Sequence, residues 1–205
     1  MLTEQQIHAA VHEIQHAILE TLEDYNRTKI KQEPEFTVKL TTKIEDRLKN
    51  INLAGVRWNA KILTDRGAKA EEKIIGADFM GVLEIDLPDY KVKKGFLVQA
   101  KMSGNINSPD LMEQCQKMLK HSNESFVFIY DKDGISVIKA SEILNSESKI
   151  SQLPRMSAEE FYYEHFKCFI GDHAIKSANG ENLYELMEKY EARRLLHLVV
   201  FGTEK

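Results

Sequence analysis

Apolar residues recur at steps of three and four over residues 4–26, where Ile7, Val11, Ile14, Ile18, Leu22 and Tyr25 form one stripe. That period predicts an amphipathic helix, with Thr3 as its N-cap. The segment TKIKQEPEF breaks the pattern, and Pro34, suited to a first helical turn, opens a second helix carrying Phe36, Leu40, Ile44 and Leu48. NINLAG closes it, with Gly55 free to take a left-handed backbone. Residues 59–76 are mixed in charge and poor in large apolar side chains, which reads as an exposed loop or ragged hairpin. Two strands follow, near 78–87 and 95–101, joined by the turn-rich LPDYKVKK.

Beyond them, Leu111, Cys115, Met118 and Leu119 make the apolar face of a helix over about 108–120, capped by Ser108 or Asp110. SFVFIY is almost wholly apolar and predicts a strand buried on both faces, returned by the DKDG turn into ISVIKA. Ser141 and Glu142 start a short helix or turn, and Ser157 with Glu160 forms a capping box before a helix carrying Phe161, Tyr162, His165, Phe166 and Phe169. A last helix is expected over 182–195, with LHLVVF as a closing strand. Helices mixed with strand hairpins predict an α/β sandwich around one mixed sheet.

The chain has 205 residues, 42% hydrophobic and 29% charged, which suits one globular domain with or without a helical appendage. No apolar run approaches the ~20 residues that cross a bilayer, and MLTEQQIHAAVHEIQ has no basic flank or apolar core of a secretory signal. Two cysteines, Cys115 and Cys168, cannot build a disulfide framework or a four-cysteine zinc site, so the expected setting is the reducing cytoplasm. A net charge of −4 excludes a wholly basic nucleic-acid coat but not a local basic groove.

The stretch richest in chemistry is Gly76-Ala77-Asp78, a hairpin, then Gln99-Ala100-Lys101. Strand alternation turns Gln99 and Lys101 to the same face, and antiparallel pairing would set Asp78 opposite that end. A carboxylate, an amide oxygen and an ammonium would then meet at one place. Asp78 and Gln99 supply hard oxygen donors for Mg²⁺ or Mn²⁺, and Lys101 can orient or deprotonate a water, or neutralise charge on a transferring phosphoryl group.

These residues resemble the PD-(D/E)XK, or restriction-endonuclease-like, nuclease superfamily. The likeness is to its Mrr-like members, in which glutamine stands where a glutamate is commoner. It spans about residues 33–172 and continues through the helix with Gln114, the FVFIYDKDGISVI hairpin and the helix FYYEHFKCFIGD. The resemblance implies a restriction-endonuclease-like αβ sandwich over 31–205, with 1–30 as an N-terminal helix available for interactions. It also implies Mg²⁺- or Mn²⁺-dependent endonucleolytic cleavage of DNA, as in bacterial restriction and anti-phage systems, with a partner protein or a homo-oligomer and no membrane. The implied catalytic residues are Asp78, Gln99 and Lys101, joined by Gln114 and a helical glutamate. Glu35, Glu45, Glu71 and Glu72 are the candidates for that glutamate, with Glu35 favoured. Lys91, Lys93 and Lys94 are candidate phosphate contacts, or else a solvated hairpin tip.

Two other readings stand beside this one. The neutral Gln99 amide is a weaker Mg²⁺ ligand than a carboxylate, so the same fold could serve as a catalytically weak module that binds nucleic acid or a partner protein. His12-Glu13-Ile14-Gln15-His16 matches the H-E-x-x-H pattern of zinc proteases. Against the protease, no third ligand is evident, and Leu19 stands where the longer zinc pattern needs glycine.

Overall fold

The computed structural model describes residues 1–27, 30–64, 77–176 and 183–202. In chain order the elements are α1 (Glu4–Asn26), α2 (Glu33–Leu48), β1 (Ile51–Leu53), β2 (Val56–Thr64), β3 (Phe79–Leu87), β4 (Tyr90–Met102), α3 (Pro109–His121), β5 (Ser125–Asp131) and β6 (Gly134–Lys139). There follow α4 (Ala140–Asn145), β7 (Met156–Ser157), α5 (Ala158–Phe166), α6 (Leu183–Lys189) and β8 (Arg194–Gly202). The strands form one mixed, open sheet of eight in the order β1-β2-β8-β3-β4-β5-β6-β7. Pairing is parallel between β3 and β8 and between β4 and β5, and antiparallel elsewhere.

Helices cover both faces. On one, α1, α2 and α5 pack Ile14, Ile18, Phe36, Leu40, Ile44, Phe161 and Phe166 against Trp58, Phe79, Phe96 and Phe128. On the other, α3, α4 and α6 bring Leu111, Cys115, Met118, Ile143 and Leu186 onto Met80, Leu97, Val127 and Leu195. The fold is therefore an α/β sandwich, as the alternating pattern predicts. Thr3 with Gln6 and Ser157 with Glu160 form complete capping boxes at the starts of α1 and α5. Gly81 marks the tightest approach within the sheet: an added Cβ there would stand 2.2 Å from Phe96 Cζ.

Several elements differ from the sequence expectation. Of residues 59–76, expected as an exposed loop or ragged hairpin, 59–64 belong to strand β2, in which Val56, Trp58 and Ala60 are buried while Arg57 and Lys61 face out; 65–76 lie outside the described residues. Gly55 (φ +81) and Ala54 (φ +48) make a two-residue hairpin turn between β1 and β2, not a helix end. The β3–β4 turn is just Pro88 and Asp89, since Leu87 already pairs with Tyr90, so Lys91, Lys93 and Lys94 lie in a strand. The last helix ends at Lys189, and β8 runs through the middle of the sheet. Cys168 lies just past α5 with φ +68, rather than on a helix face.

Helix α1 shares the core of α2 and α5, burying Ile7, Ala10, Ile14, Ala17, Ile18 and Leu22. No described helix is long and apolar enough to cross a membrane.

Candidate functional site

Four chain segments meet at the open end of the β3–β4 hairpin. Phe79 pairs with Val98, and the Asp78 amide donates to the Val98 carbonyl at 2.8 Å, so Asp78 lies across from Gln99. Parallel pairing of Met80 with Leu195 brings Arg193 alongside Asp78. At the end of β4, the Met102 amide donates to Glu33 Oε2 at 3.2 Å, which ties the first turn of α2 to the same place.

The contacts among these groups are specific. Asp78 Oδ2 accepts from the Ala100 amide at 2.9 Å and from Gln99 Nε2. Gln99 Nε2 also donates to the Ala100 carbonyl at 3.1 Å, while Gln99 Oε1 is buried without a hydrogen-bond partner among the described residues. Lys101 is only 9% exposed and makes no hydrogen bond or ion pair with a described residue. Arg193 Nη1 stands 3.9 Å from Asp78 Oδ1, and Arg194 Nη1 donates to Thr64 Oγ1 at 3.5 Å.

Burial dominates the electrostatics. It pushes the Asp78 carboxyl above the usual range, opposed by the Ala100 amide and then by the charges of Arg193, Lys101 and Arg194. It also raises Glu33, where Lys101 opposes the shift and the neighbouring Asp78 charge adds to it. Burial lowers Arg194, and Asp78 opposes that. Asp78 thus feels Arg193, Lys101 and Arg194, and Glu33 feels Lys101, Asp78 and Arg193, so Asp78 sits at the centre of one charged cluster.

The donor set suits a hard divalent cation. Asp78 and Glu33 offer carboxylate oxygens, and the orphaned Gln99 Oε1 is a buried acceptor of the kind an ion or water satisfies. Among the described residues, no group of three or more His, Cys, Asp or Glu is placed to hold a metal, and the oxygens gathered here are two carboxylates and one amide.

The other candidate residues fall differently. Gln114 on α3 also has a buried Oε1 without a described partner. Its neighbour Cys115 is pushed up to about 12 by burial, with the Lys101 charge opposing. Glu35 is exposed and accepts from the Lys31 amide at 2.9 Å; it is Glu33, not Glu35, that α2 turns toward β4. Glu45 accepts from the Ile62 amide at 3.1 Å along β2, and Glu71 and Glu72 lie outside the described residues.

The basic trio does not form a channel at the site. Lys91 pairs with Asp86 at 2.7 Å and Lys93 with Glu84 at 3.2 Å across the hairpin. Lys94 is fully buried and donates to the carbonyls of His165, in the last turn of α5, and of Ile170, beyond its end. At about 3.3 Å per residue along β4, Lys91 is some 25 Å from Gln99. In α1, Glu13 accepts from Arg47 Nη1 at 2.9 Å, and His12 is exposed, which leaves the H-E-x-x-H match without a free base.

Sequence reasoning missed Glu33, Arg193 and Arg194. Glu33 precedes Pro34, which opens the predicted second helix, and the arginines stand immediately before the apolar run of β8. Comparison with protein-family models, curated proteins and solved structures finds no match to this chain.

Proposed function

We propose that this chain is a restriction-endonuclease-like nuclease domain that hydrolyses phosphodiester bonds of DNA with Mg²⁺ or Mn²⁺, as an effector of restriction or anti-phage defence. The observation that carries the reading is the convergence of Asp78, Gln99, Lys101 and Glu33 at the open end of one hairpin, with Gln99 Oε1 left unsatisfied. Asp78, Glu33 and Gln99 Oε1 would hold the cation. When bound, it supplies charge for the phosphoryl oxygens and acidifies a water.

The remaining work falls to the chain. The Ala100 amide fixes Asp78 by donating to it, and the Met102 amide does the same for Glu33. Lys101 has uncommitted donors, so it can orient the attacking water or neutralise charge that develops on the phosphoryl group. In the overall reaction a water oxygen bonds to phosphorus and one ester P–O bond breaks, leaving a phosphomonoester and a hydroxyl.

The test is cleavage of supercoiled plasmid by the purified chain. Wild type is expected to nick it only with Mg²⁺ or Mn²⁺. Asp78→Ala should lose activity by on the order of 10³-fold with its melting temperature retained. Full activity in Asp78→Ala would refute the site. Tight DNA binding without metal-dependent cleavage would instead favour the non-catalytic module, a reading that the Gln99–Asp78 hydrogen bond supports because it already occupies one carboxylate oxygen.

A further inference from the structure

We propose that Arg193 is the residue that grips the substrate phosphate beside the acidic pair, an assignment that rests on the nucleic-acid reading of this site. Arg193 precedes β8, and the parallel β3–β8 register sets it next to Asp78. Its Nη1 is 3.9 Å from Asp78 Oδ1, close enough for attraction but longer than a hydrogen bond. No hydrogen bond joins the Arg193 guanidinium to any described residue, and its side chain is 45% exposed. Arg194 is different, being half-buried and bonded to Thr64.

An arginine whose charge is held at the mouth of a buried site, with its donors unspent, suits an incoming anion. The planar fork of the guanidinium can donate two parallel hydrogen bonds to phosphate oxygens, which the compact Lys101 ammonium cannot. Arg193 is also the wrong sign to help hold a cation. If it serves the substrate, its removal should weaken DNA binding and leave metal binding intact or slightly stronger. If it only props Asp78 in place, its removal should weaken metal binding.

The experiment measures anisotropy of a fluorescein-labelled 20-base-pair duplex with Ca²⁺ at several salt concentrations, alongside Mn²⁺ calorimetry and plasmid cleavage in Mg²⁺. Arg193→Ala is expected to weaken duplex binding about tenfold to a hundredfold and to lower the salt slope by about one. Its melting temperature and Mn²⁺ affinity should not fall. Arg193→Lys should recover part of the affinity by restoring the charge, and Lys91→Ala, on the distant ion-paired hairpin, should bind as wild type. Unchanged duplex affinity and salt slope in Arg193→Ala would overturn the proposal, and so would joint loss of Mn²⁺ and DNA binding. A wild-type chain that binds the duplex through Arg193 but never cleaves it would refute the nuclease reading and uphold Arg193 as a phosphate contact. A wild-type chain with no affinity for DNA would overturn both.

Discussion

Glu33 and Glu35 stand two residues apart in the first turn of α2, yet only one reaches the site. At about 100° per helical residue they project roughly 200° apart, so a turn that aims Glu33 at β4 must aim Glu35 away. Glu35 accordingly accepts the Lys31 amide at the exposed helix start. Glu33→Gln, which keeps size and removes charge, should lower metal-dependent cleavage by on the order of 10²-fold or more. Glu35→Gln should stay within about threefold of wild type, as expected of a surface change. Plasmid-nicking rates and Mn²⁺ titration of both variants check this, and the opposite ranking would return the role to Glu35. The convergence of Asp78 with Gln99 was readable beforehand because strand alternation and antiparallel pairing are local rules. The choice between Glu33 and Glu35 was not, since a helix's first residue carries no periodic signal. Arg193 was hidden for another reason: it reaches Asp78 only through β8, more than a hundred residues further along the chain.

Elements with strong period, such as α1, β5 and β6, lie where the pattern puts them, while α5 starts at its capping box but ends at Phe166, short of the expected Phe169. β2 was harder to see because its buried positions include Ala60 and its outward ones Asn59 and Lys61, which resemble a loop. The end of α5 shows what an element boundary can contribute to stability. His165 is fully buried, and its Nδ1 lies 3.0 Å from the Ile170 carbonyl, to which a neutral ring can donate. Burial holds it well below its usual range, and the Lys94 charge adds to the shift; the Ile170 bond opposes both. The folded chain therefore keeps His165 neutral where the unfolded chain takes up a proton. Its contribution is complete above a pH of about 6.5 and is lost as pH falls from there toward the depressed folded value, at up to about 1.4 kcal/mol per pH unit. Urea unfolding at pH 7.5, 6.5 and 5.5 should show that loss in wild type. It should be diminished in His165→Gln, whose amide can still donate to Ile170 but does not titrate. Equal pH slopes in the two proteins would mean that His165 is not held neutral.

At the scale of the whole molecule, the question is whether α1 is an appendage or part of the fold. The sequence alone permits either, because an amphipathic helix at a chain end can cover a core or wait for a partner. In the structure the apolar stripe is spent internally: Ile7, Ile14, Ile18 and Leu22 are buried together with Leu2 in the core that also holds Phe36, Trp58 and Phe166. Polar contacts fasten the same helix at both ends and in the middle. Glu4 accepts from Tyr163 at 2.6 Å, Arg47 bridges Glu13 and Glu20, and Asn26 Nδ2 donates to the Lys132 carbonyl at 3.1 Å. Burying five large aliphatic side chains at about 1.5–3 kcal/mol each is worth roughly 7–15 kcal/mol as an upper estimate. That matches the entire stability of an ordinary domain, about 5–15 kcal/mol. Deleting residues 1–27 should therefore leave a chain that does not fold cooperatively and that aggregates through the uncovered faces of Phe36, Leu40 and Ile44. The His12→Ala, His16→Ala double variant changes only side chains outside that buried set and should melt within a few degrees of wild type, since such surface substitutions cost about 0.5 kcal/mol or less. Circular dichroism melts and size-exclusion profiles of both proteins decide the matter. A soluble, cooperatively melting truncation would show that α1 is dispensable cover, and its surface would then be free for another chain.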